Sequence, residues 1–502
     1  MAGGFRSRST QNQSSNKSAG YTAARETNSN QRRSGNRAPS ARGHNGLSSN
    51  DRGSSKAQRG RVDAPRIVAV RALIEVSEHG AYANLVLPKL LRAEKLSGLD
   101  AAFATELLYG TLRAQGIVDA VLAKVSSRSM QSMAPEVRAA LRLGVYQLLF
   151  TRVGQHAAVD TTVELVAFLG QERARGFVNG ILRTVTRTPV DVWLERLQPS
   201  TELGRLAFRH SHPEWIAQSF ARVLGMHDLE AALEADSQRP VVHLAARPGE
   251  LSAEELAVLT GGEVGAYSPY AVYLESGDPG DLEPVKQSLA QVQDEGSQVI
   301  ARALAEAPTN GQDSGRWLDL CAGPGGKAAL LGGLARVDGA RVDAVEPAAH
   351  RAALVEKSCE GLPVDVHVAD GRDSGLAKGY DRILVDAPCS GLGALRRRPD
   401  ARWRKQESDI DELTGLQYAL ASAALDLLRP GGIMVYSTCS PDLRETRGIV
   451  DRLLKNNQGQ VEELDAHPLA CGMEDLGRYP SVQMWPHKHG TDAMFFSVLR
   501  KL

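Results

Sequence analysis

The feature that most restricts the fold lies between residues 317 and 334. A short apolar run, Trp317-Leu318-Asp319-Leu320-Cys321, breaks into Ala322-Gly323-Pro324-Gly325-Gly326-Lys327, and a helical apolar texture then continues to Leu334. An apolar run that short, bounded by glycine, reads as a buried strand, and the segment after it as a helix packing back over that strand. The unit recurs: Arg341 to Val345, Val364 to Val368, Asp381 to Val385 and Gly432 to Ser437 are further short strands ending in polar turns. Strands alternating with helices predict an α/β fold on a doubly wound, Rossmann-like parallel sheet over residues 286–502. Ligands of such sheets bind beyond the carboxyl ends of the strands, so the residues of interest are those that follow each strand.

The first such turn, Cys321-Ala322-Gly323-Pro324-Gly325-Gly326-Lys327, lets backbone approach a ligand while the helix N-terminus attracts negative charge. It departs from the dinucleotide G-x-G-x-x-G spacing. Glu346 ends the next strand twenty residues after Gly326, where an acid can bind ribose hydroxyls, and Asp370 follows the third strand. A loop and two acids at successive strand ends fit an adenosine carrying a short charged tail. Taken alone, they would also serve an NAD site.

Two cysteines narrow the chemistry. Asp386-Ala387-Pro388-Cys389-Ser390-Gly391 and Ser437-Thr438-Cys439-Ser440 each follow a strand at the same edge. A lone cysteine is usually a small core residue, but two in ligand-facing turns are poorly explained by packing. Methylation at carbon 5 of a pyrimidine would need a thiol, because that carbon is too weak a nucleophile unaided. A thiolate adding to carbon 6 makes carbon 5 part of an enamine that can attack the sulfonium methyl of S-adenosylmethionine, after which a base removes the carbon 5 proton. Asp386 would hold cytosine at its N3 and N4 edge, and the second cysteine suits release of the adduct. The five cysteines lack a C-x-x-C zinc spacing, so no metal is expected and free thiols in a reducing cytoplasm are the default.

The run Arg396-Arg397-Arg398-Pro399-Asp400-Ala401-Arg402-Trp403-Arg404-Lys405 follows the Cys389 turn and sets six cations around one aromatic. Arg396, Arg397, Arg398, Arg402 and Arg404 are expected to meet RNA phosphates and Trp403 a stacked base. A ring inside a helix cannot be reached from both faces, so the target base should be flipped out or already unpaired.

Upstream the texture differs. Residues 1–60 are Ser, Asn, Gly, Arg and Gln with few large apolar side chains, which predicts a disordered basic tail. They carry eleven Lys/Arg against Glu26 and Asp51, a surplus of nine, and because the whole chain balances at 59 and 59 the remainder carries nine excess acids. Any attraction to a polyanion therefore rests on the tail and on local basic patches. Residues 62–190 show helical periodicity at Ile67, Val70, Leu73 and Val76 and again at Val137, Leu141, Val145, Leu148 and Leu149, predicting an all-helical domain. Residues 191–285 read as a connecting subdomain, with Pro213-Glu214-Trp215 opening a helix, a broken pattern from Arg239 to Pro248, and a helix resuming over Leu251 to Leu259. No stretch approaches the roughly 18–20 apolar residues of a membrane span, so a cytoplasmic monomer without a membrane partner is expected.

Two resemblances follow from particular residues. Tyr82-Ala83-Asn84, Leu108-Tyr109-Gly110-Thr111-Leu112-Arg113, Arg142-Leu143-Gly144-Val145-Tyr146-Gln147-Leu148, His156-Ala157-Ala158-Val159 and Phe177-Val178-Asn179-Gly180-Ile181-Leu182-Arg183 resemble the NusB-type RNA-binding helical domain. The Ala-Gly-Pro-Gly-Gly-Lys loop, the two cysteine turns, Gln293-Asp294-Glu295-Gly296-Ser297-Gln298 and His489-Gly490-Thr491-Asp492 resemble the RNA 5-methylcytosine methyltransferases. Together they resemble the bacterial 16S ribosomal RNA cytosine-5 methyltransferases of the RsmB/Sun/Fmu type. The resemblance implies Cys439 as nucleophile, Cys389 as release residue, and S-adenosylmethionine contacts at Cys321, Ala322, Gly323, Pro324, Gly325, Gly326, Lys327, Glu346, Asp370 and Asp386. Cys321 would contribute backbone, and Cys359 and Cys471 would be structural. In the DNA cytosine methyltransferases the Pro-Cys thiol attacks instead. His243-Leu244-Ala245-Ala246-Arg247 departs from the family's Leu-Arg-x-Asn element, and Ala493-Met494 from its Gly-Phe. A transfer RNA cytosine-5 methyltransferase and a non-catalytic NusB-like RNA-binding or antitermination protein are the alternatives.

Overall fold

The computed structural model describes residues 62–502. The basic tail expected over residues 1–60 lies outside the described residues. Eight α-helices fill the first region, Ala64–Glu78, Ala83–Ala93, Gly98–Arg113, Gln115–Val125, Pro135–Phe150, Gln155–Phe168, Arg175–Val185 and Val190–Leu197. Asp63 starts the first by accepting from Arg66 N, with a proline in the opening turn. The periodic positions Val70, Leu73, Val76, Val137, Leu141 and Val145 all lie in one buried core, with Ile67, Leu148 and Leu149 at its margin. Truncating a leucine such as Leu141 there costs about 2–5 kcal/mol. Gly110 sits where a Cβ would stand 1.9 Å from Tyr146 Oη, so this glycine admits close helix crossing.

Helices Glu202–Arg209 and Glu214–Ser237 lead to a small antiparallel sheet. Its strands are β1 (Val242–Ala246), β2 (Glu263–Val264), β3 (Ala271–Leu274) and β4 (Ala290–Val292), in the order β2-β3-β1-β4. The broken pattern from Arg239 to Pro248 is thus a strand, and the sheet reaches past residue 285 to Val292. These strands are two to five residues long, too short for alternation to register. The resuming helix, Ala253–Thr260, starts in a capping box of Ser252 and Glu255.

The large sheet comprises β5 (Arg316–Asp319), β6 (Arg341–Val345), β7 (Val364–His367), β8 (Tyr380–Asp386), β9 (Leu428–Thr438), β10 (Val461–Leu464), β11 (Val482–Gln483) and β12 (Phe495–Lys501). Its order is β10-β12-β9-β8-β5-β6-β7, with β11 on β12. The five strands from β9 to β7 are parallel as expected, with helices on both faces. The sheet as a whole is mixed, because β12 runs antiparallel to β9, and β10 and β11 antiparallel to β12. Asp319, Glu346, Asp370, Asp386 and Cys439 all stand at or just beyond the carboxyl ends of the parallel strands.

Candidate active site

Strand pairing builds the centre. Asp386 ends β8 opposite Ser437 of β9, and Ser437 Oγ donates to its Oδ1 at 2.9 Å. Lys327, in the first turn of the helix Gly326–Asp338, donates from Nζ to Asp386 Oδ2 at 2.7 Å. Both cysteine turns leave the sheet here, and Cys389 Sγ lies 3.4 Å from Cys439 Sγ. Their surroundings differ in sign. The hydrogen bond from Cys389 lowers the pKa of Cys439, and the charges of Lys327 and Arg398 lower it further against burial and Asp386. The same bond raises Cys389, as do its burial and the charges of Cys439 and Glu445. Cys439 is therefore the more acidic sulfur of the pair and Cys389 the less acidic.

Glu445, fully buried, ties the two turns together. Its Oε1 accepts from Ser390 N at 2.8 Å and Gln417 Nε2 at 3.0 Å, and its Oε2 accepts from Ser390 Oγ, which lies 3.1 Å from Ser440 Oγ. The residue after Cys389 thus binds the buried carboxylate directly, and the residue after Cys439 reaches it through Ser390 Oγ.

The glycine loop crosses Glu346. A Cβ on Gly323 would stand 2.1 Å from Glu346 Oε2, so only glycine allows this approach. Arg351 brackets the loop, donating to Gly323 O at 2.6 Å while its Nη1 lies 3.3 Å from Glu346 Oε2. Asp319 is buried with Oδ2 lacking a hydrogen-bond partner, and burial plus the Asp386 charge push its pKa up to about 7. Burial raises the Cys321 thiol well above its usual value, leaving it without nucleophilic character, consistent with a backbone role. Asp370 is exposed and engaged by Arg372, which lowers its carboxyl to about 2. Glu346, the Gly323 cradle and the unpartnered Asp319 oxygen suit a cofactor with ribose hydroxyls and a cationic tail, as S-adenosylmethionine has.

The arginine run divides, correcting the expectation of one cationic face. Arg402 is fully buried, donating from Nη2 to Asp236 O at 2.6 Å and Oδ2 at 3.0 Å, and cannot reach a phosphate without unfolding its surroundings. Arg396 is buried too, with Nε on Asp492 Oδ1 at 2.5 Å and Nη2 on Asp294 Oδ1 at 3.2 Å, and Arg397 binds the same two acids. Trp403 is half-buried and packs over Gly116 of the helical region, where a Cβ would stand 2.5 Å from its ring. It is therefore no open stacking surface. Arg404 pairs with Asp400 and donates to Gly80 O at 2.6 Å. Arg398 alone among the six is exposed with no carboxylate partner among the described residues.

Asp294 and Asp492 thus gain a role that sequence reading left open: they anchor the segment following Cys389. Glu445, the Lys327–Asp386 pair and Tyr82, whose ring lies beneath Arg398 and Arg404, were also missed. The buried acids of the quoted motifs carried a signal, since such residues need partners. Tyr82 carried none. No group of metal-holding side chains and no membrane-length apolar helix occurs among the described residues.

A family model described as 16S rRNA methyltransferase RsmB/F matches residues 303–500, and one described as NusB family matches residues 63–187. The chain is similar to a Mycobacterium tuberculosis protein carrying a methyltransferase name, 54% identical over 447 residues that cover 88% of this chain and 97% of the relative. Ribosomal RNA small subunit methyltransferase B of Cronobacter sakazakii is 31% identical over 449 residues, covering 87% and 98%. Among solved structures, the crystal structure of PH0851 covers 88% of this chain and 100% of its own, with a TM-score of 0.75 and 21% identity. NSun6 from Pyrococcus horikoshii, solved with SFG, covers 58% and 98% at a TM-score of 0.50 and 18% identity. At those identities the structures show a shared fold.

Proposed function

Since the chain belongs to the 16S rRNA methyltransferase RsmB/F family, with a NusB-family domain in its helical region, we propose that it methylates carbon 5 of a cytosine in 16S ribosomal RNA through a covalent bond to Cys439. It is an RNA methyltransferase dependent on S-adenosylmethionine. The observation that carries the finer reading is the sulfur pair, with Cys439 beside Lys327 and Arg398 and Cys389 beside Glu445.

Bound S-adenosylmethionine supplies an electrophilic methyl on a sulfonium. Glu346 would take its ribose hydroxyls, the loop Cys321 to Lys327 its tail, and Asp319 with Asp386 the cationic end. The chain's own residues do the rest. Asp386, bonded to Lys327 and Ser437, faces the N3 and N4 edge of the flipped base, and a proton shared between its carboxyl and N3 offsets the negative charge that addition places there. The Cys439 thiolate adds to carbon 6, so the ring electrons move to carbon 5. This consumes the sulfur partner of Cys389's hydrogen bond and removes the Cys439 share of what raises it, leaving burial and Glu445. Once its own proton has passed to solvent, Cys389 can take the proton from the methylated carbon 5, and the electrons of that bond re-form the carbon 5–carbon 6 double bond as the Cys439–carbon 6 bond breaks and the thiolate returns.

The test is incubation with unmodified 16S ribosomal RNA and S-adenosylmethionine, followed by bisulfite sequencing, with total transfer RNA in parallel. One protected cytosine in the ribosomal RNA is expected. Protection only in transfer RNA would overturn the substrate, and a methylated base other than cytosine would overturn the mechanism.

A further inference from the structure

Two regions far apart in sequence meet at Arg398 and Arg404. Tyr82 stands at the start of helix Ala83–Ala93 in the helical region and is 49% exposed. Arg404 donates to the carbonyls of Gly80 and Ala81, at 2.6 and 3.2 Å, and so fixes the turn that presents Tyr82. The guanidinium carbons of Arg404 and Arg398 lie 5.0 and 5.9 Å from the Tyr82 ring centroid. Arg404 pairs directly with Asp400, whereas Arg398 has no carboxylate at ion-pair distance among the described residues. Arg398 N donates to Ala394 O at 3.1 Å, one residue past Gly393, whose N donates to Cys439 O at 2.9 Å, so the segment carrying Arg398 is bonded to the Cys439 turn. A half-exposed ring and a guanidinium without an ion-pair partner therefore stand together, one from each region, where the segment bonded to the Cys439 turn meets the helical region.

We propose that Tyr82 and Arg398 form a subsite for a nucleotide flanking the target base, the Tyr82 ring stacking on that base and Arg398 taking its phosphate. This rests on the RNA methyltransferase reading above and deepens it. Single-stranded RNA is recognised by bases laid on aromatic rings with cations tracking the backbone, and both elements are present here at one point. The arrangement also gives the helical region a place at the chemistry, because its ring meets the strand where the target base leaves it. A base held beside a flipped-out neighbour helps keep the strand splayed.

Steady-state methylation of unmodified 16S ribosomal RNA tests this with four full-length variants. Tyr82→Ala should raise the KM for RNA about tenfold, the size a stacked base supplies, while kcat and the KM for S-adenosylmethionine stay within about twofold. Tyr82→Phe should behave as wild type, since stacking needs the ring and not the hydroxyl. Tyr82→Leu keeps apolar bulk without a π face and should match Tyr82→Ala. Arg398→Ala should weaken RNA binding and flatten the dependence of log affinity on log salt by about 0.7, whereas Tyr82→Ala should leave that slope unchanged. A wild-type KM in both Tyr82→Ala and Tyr82→Leu would overturn the subsite, as would a Tyr82→Phe defect equal to that of Tyr82→Ala. A wild-type protein that methylates no RNA would overturn the underlying reading instead, and the subsite with it.

Discussion

Cys389 Sγ lies 3.4 Å from Cys439 Sγ although fifty residues separate them. Two parallel neighbouring strands, β8 and β9, end in register and release their turns at the same point, so the contact is a product of sheet topology. What distinguishes the sulfurs is first the hydrogen bond between them and then the charge around each. Lys327 and Arg398 face Cys439, and Glu445 lies behind Cys389. A thiolate and a thiol side by side are what nucleophilic addition followed by assisted release requires.

The Lys327–Asp386 pair supports both the thiolate and the base-binding carboxylate. Lys327→Met is expected to lower kcat by about 10²–10³-fold, as loss of one preorganised charge does. It should also raise the pH at which Cys439 becomes alkylatable. The sign follows from the lowered pKa: in the wild type the thiolate persists below the ordinary cysteine midpoint and is lost as pH falls through its own. Peptide-resolved iodoacetamide labelling across pH measures this, and an unchanged midpoint would remove Lys327 from the account.

Arg402 and Arg398 should separate stability from RNA binding. Arg402→Ala leaves Asp236 buried without its cation and should cost about 3–5 kcal/mol of stability. Arg398→Ala should leave the denaturation midpoint unchanged and weaken RNA binding. Chemical denaturation and filter binding at fixed salt distinguish the two.

Glu445→Ala strands Ser390 N in a buried place and takes from Gln417 Nε2 one of its two acceptors, and should cost about 1–3 kcal/mol. Because Glu445 also sets the Cys389 turn, Glu445→Gln, close to isosteric, should prolong the covalent RNA adduct several-fold with little change in melting. Adduct lifetimes on denaturing gels test the positioning role.

Asp319 makes stability depend on pH. Its carboxyl is raised in the folded state to about 7, by burial first and by Asp386 second, from an unfolded value of about 3.9. The folded protein therefore binds the extra proton, and the stability this contributes is full below about pH 4 and is lost as pH rises through about 7. Asp319→Asn should remove that loss, so its melting temperature should exceed wild type more at pH 8 than at pH 5. A constant difference across pH would contradict the assignment.

The parallel strands were legible because each is a short apolar run closed by glycine or proline, and the residues past their ends identified the site. Asp294 and Asp492 were visible as motif members but not as anchors, since their partners Arg396 and Arg397 lie about a hundred residues from either acid and only the fold joins them. The arginine run misled for the same reason. Adjacent cations look like a solvated face, yet the turn after Cys389 points Arg396 and Arg402 inward, onto acids from three other segments. Strands β1 to β4 escaped notice because two- to five-residue strands carry little periodicity. Tyr82 was a motif tyrosine whose place beneath Arg398 and Arg404 depends on how the helical region docks, which no local pattern encodes.

The most direct test of the account is to mix Cys439→Ala and Cys389→Ala with unmodified 16S ribosomal RNA and S-adenosylmethionine and to resolve covalent protein–RNA species by denaturing electrophoresis. The account predicts a stable adduct with Cys389→Ala and none with Cys439→Ala, which should also transfer no methyl groups. The reverse pattern would make Cys389 the nucleophile, and active transfer by both variants would contradict covalent catalysis by this pair.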